Sequence, residues 1–93
     1  MAASPQRNDV DEQPLIEKHV DLNYNRFGGR ADARLKESGV SVWAIVTYLG
    51  IYDGDVNEVA RIYELSQEEM DAALAYYRRN KKYVDARILL NEA

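Results

Sequence analysis

Residues 55–79 read DVNEVARIYELSQEEMDAALAYYRR, and this stretch decides the fold. It contains two helix-start signals of the same kind, an acceptor side chain followed three residues later by glutamate: Asp55 with Glu58, and Ser66 with Glu69. In such a capping box the two side chains bond backbone N–H groups that the first helical turn leaves without partners. The stretch therefore predicts two helices, Val56 to Glu64 and Gln67 to about Arg79, joined by a short turn as in a helix-turn-helix.

Helical patterns continue on both sides of this unit. Upstream, Ser41 is a suitable N-cap, and an apolar stripe at i, i+3, i+4 and i+7 follows it: Val42, Ile45, Val46 and Leu49. Downstream, the apolar stripe is interrupted at Lys81, and Asn80 is a possible stop. We expect either a kink near Asn80 or a separate final helix from about Lys81 to Asn91.

The first third of the chain carries weaker patterns. Residues 1–14 are polar, contain two prolines and have no period, so we expect a disordered or extended leader. From Leu15 to Asn23 polar and apolar residues alternate, which predicts a short strand, and a second weak strand is expected from Ala33 to Glu37. Residues 15–93 are thus predicted to be one domain, mainly α, in which a short N-terminal β-ribbon precedes a helix-turn-helix bundle.

The amino-acid composition limits the classes of protein to which this chain can belong. The chain has 93 residues, 46% of them hydrophobic, which suits one domain. It has no cysteine, which excludes disulfides, thiolate metal sites and a cysteine nucleophile. No apolar run resembles a membrane span or a signal peptide, so we expect a cytoplasmic protein with no membrane partner. Because so small a domain buries a limited share of its surface, we also expect a homo-oligomer, a dimer or larger.

The order of several motifs resembles the bacterial "domain of unknown function 433" family. The matching stretches are Gly28-Gly29-Arg30, Gly39-Val40-Ser41-Val42-Trp43, Asp55 to Tyr63, Leu65-Ser66, Ala72 to Tyr77, and Val84-Asp85-Ala86. The resemblance covers roughly Leu15 to Leu90. It implies a small β-ribbon followed by a homeodomain-like helix-turn-helix. It also implies the role of the family's VapB-like antitoxins, which cap a PIN-like ribonuclease toxin, with binding of operator DNA as a further role. The alternative is a stand-alone homo-oligomeric protein with no DNA or toxin partner.

DNA binding needs lysine or arginine close to phosphates. The candidate DNA contacts are Arg26, Arg30 and Arg34 on the ribbon, and Gln67 at the start of the second helix of the helix-turn-helix. That helix start also carries Glu68 and Asp71, which phosphates repel, and the whole chain has a net charge of −4. The alternative, which we favour, is that the arginines form an ordinary solvated edge.

A second surface is predicted for a protein partner. Its candidates are Tyr76, Arg78, Arg79 and Lys82. Two adjacent tyrosines, Tyr76 and Tyr77, do not face the same core, so one of them is expected at an interface. The basic cluster would suit an acidic partner such as the carboxylate cleft of a nuclease. The alternative is that these cations only complement the helix dipole.

The sequence contains no set of residues that is typical of an active site. We therefore expect that the protein is not an enzyme and binds no metal and no cofactor. The chain has no glycine-rich phosphate loop and a single histidine, His19. On a strand, His19 would share a face with Glu17 and Asp21, but a polar outer face is the better interpretation than a metal site.

Overall fold

The computed structural model describes residues 4–23 and 29–92. Its elements, in chain order, are α1 (Ser4–His19), β1 (Val20–Asp21), a 3-10 turn (Arg30–Asp32), β2 (Arg34–Leu35), α2 (Val42–Ile51), α3 (Val56–Tyr63), α4 (Gln67–Arg79) and α5 (Lys81–Glu92). The fold is mainly helical, with a short antiparallel sheet of two strands in which Val20 pairs with Leu35. This confirms the predicted fold class. Within the described ranges, no helix is both long and apolar enough to cross a membrane.

The helix-turn-helix boundaries follow the predicted caps. The Ser66 hydroxyl accepts from the Glu69 N–H at 3.1 Å, and the Glu69 carboxylate accepts from the Ser66 N–H at 2.9 Å, so this capping box is confirmed. The Asp55 side chain likewise accepts from the Glu58 N–H, at 3.1 Å. The Glu58 carboxylate, however, accepts from the Arg61 guanidinium one turn later. The predicted box at Asp55 is therefore only half formed.

The last two helices are separate, as one of the two alternatives predicted. At the break, the Asn80 side chain donates to the Tyr76 carbonyl at 3.0 Å, and its backbone N–H bonds carbonyls of the same turn. Asn80 thus satisfies the last carbonyls of α4, and α5 begins at the next residue.

The first third of the chain differs from the prediction. Residues 4–14 are helical rather than extended, and α1 continues through Pro14 to His19, so the strand expected from Leu15 is reduced to Val20–Asp21. Residues 1–3 of the expected leader lie outside the described residues. The physical reason is that Ile16 and Val20, which looked like alternate strand positions, are also one helical turn apart. Both side chains are buried, at 3% and 0% exposure.

The core is centred on α4. The buried apolar residues of the core are, in chain order, Ile16, Val20, Ala33, Leu35, Val42, Ile45, Val59, Leu65, Met70, Ala72, Ala73, Ala75, Tyr76 and Val84. Five of these lie on α4, more than on any other element. Helices α1 and α2 both pack against α4, and α5 packs against α2 and the 3-10 turn. Helix α4 is therefore the central helix of the fold.

Candidate interaction surfaces

Helix α1 lies antiparallel along α4 and is held by polar contacts at both ends. Near the start of α4, Glu68 accepts from Lys18 at 3.2 Å and contacts the His19 ring at 3.0 Å. Near its end, Arg78 forms an ion pair with Glu12, and Arg79 donates to the Gln13 side chain at 2.6 Å. Residues 12 and 13 of α1 thus lie beside the end of α4, and residues 18 and 19 lie beside its start.

An apolar strip lies between these polar ends. Glu68, Ala72, Ala75 and Arg79 follow i, i+4, i+7 and i+11 on α4, so they share one face. Since the outer two contact α1, the two alanines between them also face it, and both are fully buried. Ile16 occupies the middle of the matching face of α1, and the small alanines let the two helices approach closely. This is how α1 closes one side of α4.

The predicted partner surface on α4 is largely used inside the fold. Tyr76 is only 1% exposed, and its hydroxyl donates to the Arg30 carbonyl at 2.7 Å, so its assignment to an interface was wrong. Its neighbour Tyr77 is half-buried. The guanidinium groups of Arg78 and Arg79 are engaged by α1, as described above. The fourth candidate, Lys82, lies exposed in the first turn of α5. It has no ion pair among the described residues.

Two of the candidate DNA contacts, Arg30 and Gln67, lie near opposite ends of α4. Arg26 lies outside the described residues. Arg30 is exposed, with its guanidinium 5.4 Å from the centre of the Tyr83 ring, and Tyr76 anchors its carbonyl. Gln67 is exposed at the other end of α4 and donates to Asp71 at 2.9 Å. Since Tyr76 and Gln67 are nine residues apart, their Cα atoms are separated by about 14 Å along the helix axis.

The remaining ribbon arginine, Arg34, lies on β2. It is exposed, and its guanidinium donates to the Gly39 carbonyl at 3.5 Å. This contact lies within the turn that follows β2, so the position of Arg34 is explained by the ribbon itself.

Glu68 is an electrostatic link between α1 and α4. Its hydrogen bond with His19, and then that with Lys18, lowers the pKa of the Glu68 carboxyl below its ordinary value. His19 ends a helix and does not stand on a strand, so the face it was expected to share with Glu17 and Asp21 does not form. In the described ranges, no three histidine, aspartate or glutamate side chains are grouped closely enough to hold a metal ion.

A second polar cluster connects α4 and α5. The Tyr77 hydroxyl donates to Asp85 at 2.7 Å, and Lys81 donates to the other carboxylate oxygen at 2.6 Å. Burial, and then the hydrogen bond to Asp85, raises the pKa of Tyr77, whereas Lys81 lowers the pKa of Asp85. Tyr77 therefore stays a protonated donor at neutral pH. The cluster is suited to holding two helices together and poorly suited to a nucleophile or a base.

An exposed apolar surface lies where α2 and α5 end together. Ile51, Leu89 and Leu90 are 62%, 68% and 72% exposed. Of these three, Ile51 lines an open groove of about 430 Å³, which we call the end groove and whose other lining residues are Val46, Thr47, Gly50, Ile88 and Glu92. The sequence prediction missed this surface. Its signal was the run Ile88-Leu89-Leu90, because three consecutive residues of a helix point in different directions and do not all reach one core.

Comparisons of this chain with protein-family models, with curated protein sequences and with solved structures found no match.

Proposed function

We propose that this protein is a non-enzymatic interaction module that binds another protein through the end groove. The observation that carries the proposal is an open groove between α2 and α5 that is lined largely by apolar side chains, among them Ile51, which is 62% exposed. Exposed apolar grooves with a polar rim are typical of protein–protein interaction sites. Glu92 adds a carboxylate at the rim, which suits a partner with a basic group beside its apolar anchor.

The electrostatics and the position of α1 favour a protein partner over DNA. In DNA-binding helix-turn-helix proteins the second helix enters the major groove. Here that helix is α4, which is buried against the core on one side and against α1 on another. Its exposed start carries Gln67 and Asp71 bonded to each other. The chain also has a net charge of −4, which opposes binding to phosphates.

The partner class comes from the resemblance stated above. Members of the "domain of unknown function 433" family that act as antitoxins bind a PIN-like ribonuclease, and we propose a protein partner of this type. A homo-oligomer is part of the proposal, because a 93-residue chain gains stability by burying surface against a copy of itself. The second candidate is a self-assembling module with no other partner, which the exposed leucines on α5 favour.

The test is co-expression with the product of the neighbouring reading frame, followed by a ribonuclease assay of that product with and without this protein. We expect a stable complex and inhibited RNA cleavage. Ile51→Lys is expected to weaken the complex at least tenfold, because it places a charge at the groove. The matched control is Asn57→Lys on the exposed side of α3, which adds the same charge elsewhere and should bind like the wild type.

Three outcomes would count against parts of this proposal. A neighbouring product that neither binds nor is inhibited would remove the antitoxin-like role and leave the self-assembling module. Equal binding by Ile51→Lys and Asn57→Lys would show that the partner uses another surface. Salt-sensitive retention of the upstream DNA, absent with random DNA, would restore the operator role that we consider disfavoured.

A further inference from the structure

Helix α1 places a carboxylate of this chain on the basic cluster that the sequence predicted for an acidic partner. The two oxygens of Glu12 are shared between two guanidinium groups: Oε2 pairs with Arg78, and Oε1 lies 3.5 Å from Nε of Arg79. The Gln13 side-chain oxygen also accepts from Arg79, at 2.6 Å. Guanidinium groups bind carboxylates strongly because several N–H donors meet both oxygens. Glu12 therefore occupies the position that a carboxylate of another molecule would take on this arginine pair.

The segment that carries Glu12 has few means of attachment to the fold. We call residues 4–13, the part of α1 before Pro14, the strap. It contains a single hydrophobic residue, Val10, and the buried Ile16 lies after it. A helix without an apolar face packed on a core is marginal in water. The ion pairs add little, because water solvates both partners and the two arginine side chains stay 57% and 34% exposed.

Pro14 separates the strap from the buried part of α1. It lies inside the helix, and its side chain is exposed. A proline at such a position has no N–H for the carbonyl four residues earlier, and its ring disfavours helical geometry in the preceding residue, Gln13. Helix α1 is therefore weakest between the strap and Ile16. Local opening begins where a structure is weakest, so the strap detaches while Ile16 stays in the core.

We propose that Arg78 and Arg79 form a binding site for an acidic peptide segment of a partner, and that the strap is an autoinhibitory occupant that detaches at Pro14. The group already seated on the arginines is a peptide carboxylate, and the strap that carries it has three acids and one base. The net charge of −4 opposes nucleic acid, which presents a long row of phosphates, as the ligand. The site shares no residue with the end groove, so it goes beyond the proposed function.

The test is a nuclear magnetic resonance titration of the isotope-labelled full chain in low salt, because salt screens exposed charge pairs. The probe is hexaglutamate with blocked termini, added to millimolar concentration, and the readout is the Nε–H resonances of Arg78 and Arg79. The variants are Glu12→Gln, Glu12→Gln combined with Arg78→Gln, and Pro14→Ala. The matched control is Glu17→Gln, the same charge change at an exposed position of the same helix. Thermal melting followed by circular dichroism establishes that each variant is folded.

We expect the wild type to bind the probe weakly, because the strap covers the arginines in most molecules. A site that is open in about a tenth of the molecules binds about tenfold more weakly than a free site, so Glu12→Gln should bind the probe about tenfold more tightly than the wild type. Adding Arg78→Gln should abolish that gain. Pro14→Ala should bind at least about threefold more weakly than the wild type, because alanine restores the helical hydrogen bond and keeps the strap closed. Glu17→Gln should bind like the wild type.

Each other result overturns the inference in a recognisable way. Equal binding by the wild type and Glu12→Gln shows that the strap does not cover the site, and an equal gain in Glu17→Gln assigns the effect to overall charge. A gain that survives Arg78→Gln places the probe on other cations. Pro14→Ala that binds like the wild type shows that the strap does not open at Pro14. A probe that binds no variant at millimolar concentration removes the site altogether.

A random-sequence oligonucleotide is titrated in parallel. If it binds the arginine pair of Glu12→Gln more tightly than hexaglutamate does, nucleic acid replaces the acidic peptide as the ligand and the proposal is wrong. Binding of the neighbouring gene product through the end groove is measured separately, with Ile51→Lys, so failure of the proposed function is distinguishable from failure of this inference.

Discussion

Replacing Ile16 by alanine is expected to destabilise the protein by about 2–3 kcal/mol. The side chain is 3% exposed on α1, a helix that packs against α4, and the change removes three of its carbon groups. At about 0.8 kcal/mol for each buried carbon group, the lost transfer energy is about 2.4 kcal/mol. A residual cavity increases the cost, whereas the better helix propensity of alanine returns up to about 0.5 kcal/mol.

The assay is urea and thermal unfolding followed by circular dichroism. For a domain of this size the expected loss lowers the melting temperature by about 10–20 °C. The control is Glu17→Ala, the next residue on the same helix. Its side chain is exposed, and its carbonyl, which accepts from Lys36 at 2.7 Å, is kept. We expect this control to stay within about 0.5 kcal/mol of the wild type.

The comparison of these two variants tests whether α1 is part of the folded core. If Ile16→Ala unfolds like Glu17→Ala, then α1 does not pack on α4 in solution. The second helix of the helix-turn-helix would then have an open face, and the argument against DNA binding through α4 would lose its structural basis.

Three further predictions concern individual polar side chains. Tyr76→Phe should lower the free energy of unfolding in urea by about 1 kcal/mol, because the carbonyl of Arg30 loses its hydroxyl donor; a neutral result would mean that water replaces this hydrogen bond. Ser66→Ala should cost about 1 kcal/mol through loss of the capping box, and Ser66→Asp, which keeps an acceptor, should recover most of it. Glu68→Gln should lower the free energy of unfolding in urea at neutral pH but leave it unchanged in acid. Because the pKa of Glu68 is lowered by His19 in the folded state, its contribution is present above the ordinary value of 4.5 and disappears as pH falls through the folded pKa. A wild-type advantage that is the same at pH 7 and pH 2 would contradict this assignment.

Prediction from the sequence succeeded where the deciding interactions are local. The start of α4 follows from Ser66 and Glu69, whose side chains reach backbone groups three residues away. The break at Asn80 was foreseen as one of two alternatives, because a polar residue and Lys81 interrupt the apolar stripe. The candidate surfaces were predicted less well. Three candidates of the partner surface, Arg78, Arg79 and Lys82, are exposed. Tyr76 is buried, because its hydroxyl bonds the carbonyl of Arg30, which is far away in sequence.

The sequence by itself determined the helical class, the helix-turn-helix boundaries and the acidic character of the chain, because caps, helical spacing and net charge are properties of neighbouring residues or of composition. The tertiary structure alone decided that the segment before Val20 is a helix. Pro14 and the alternating pattern opposed that assignment locally, and packing of Ile16 against α4 outweighs them. The tertiary structure also decided which apolar residues remain exposed. Ile88, Leu89 and Leu90 are similarly hydrophobic, and they differ in exposure because each points in a different direction from the helix axis.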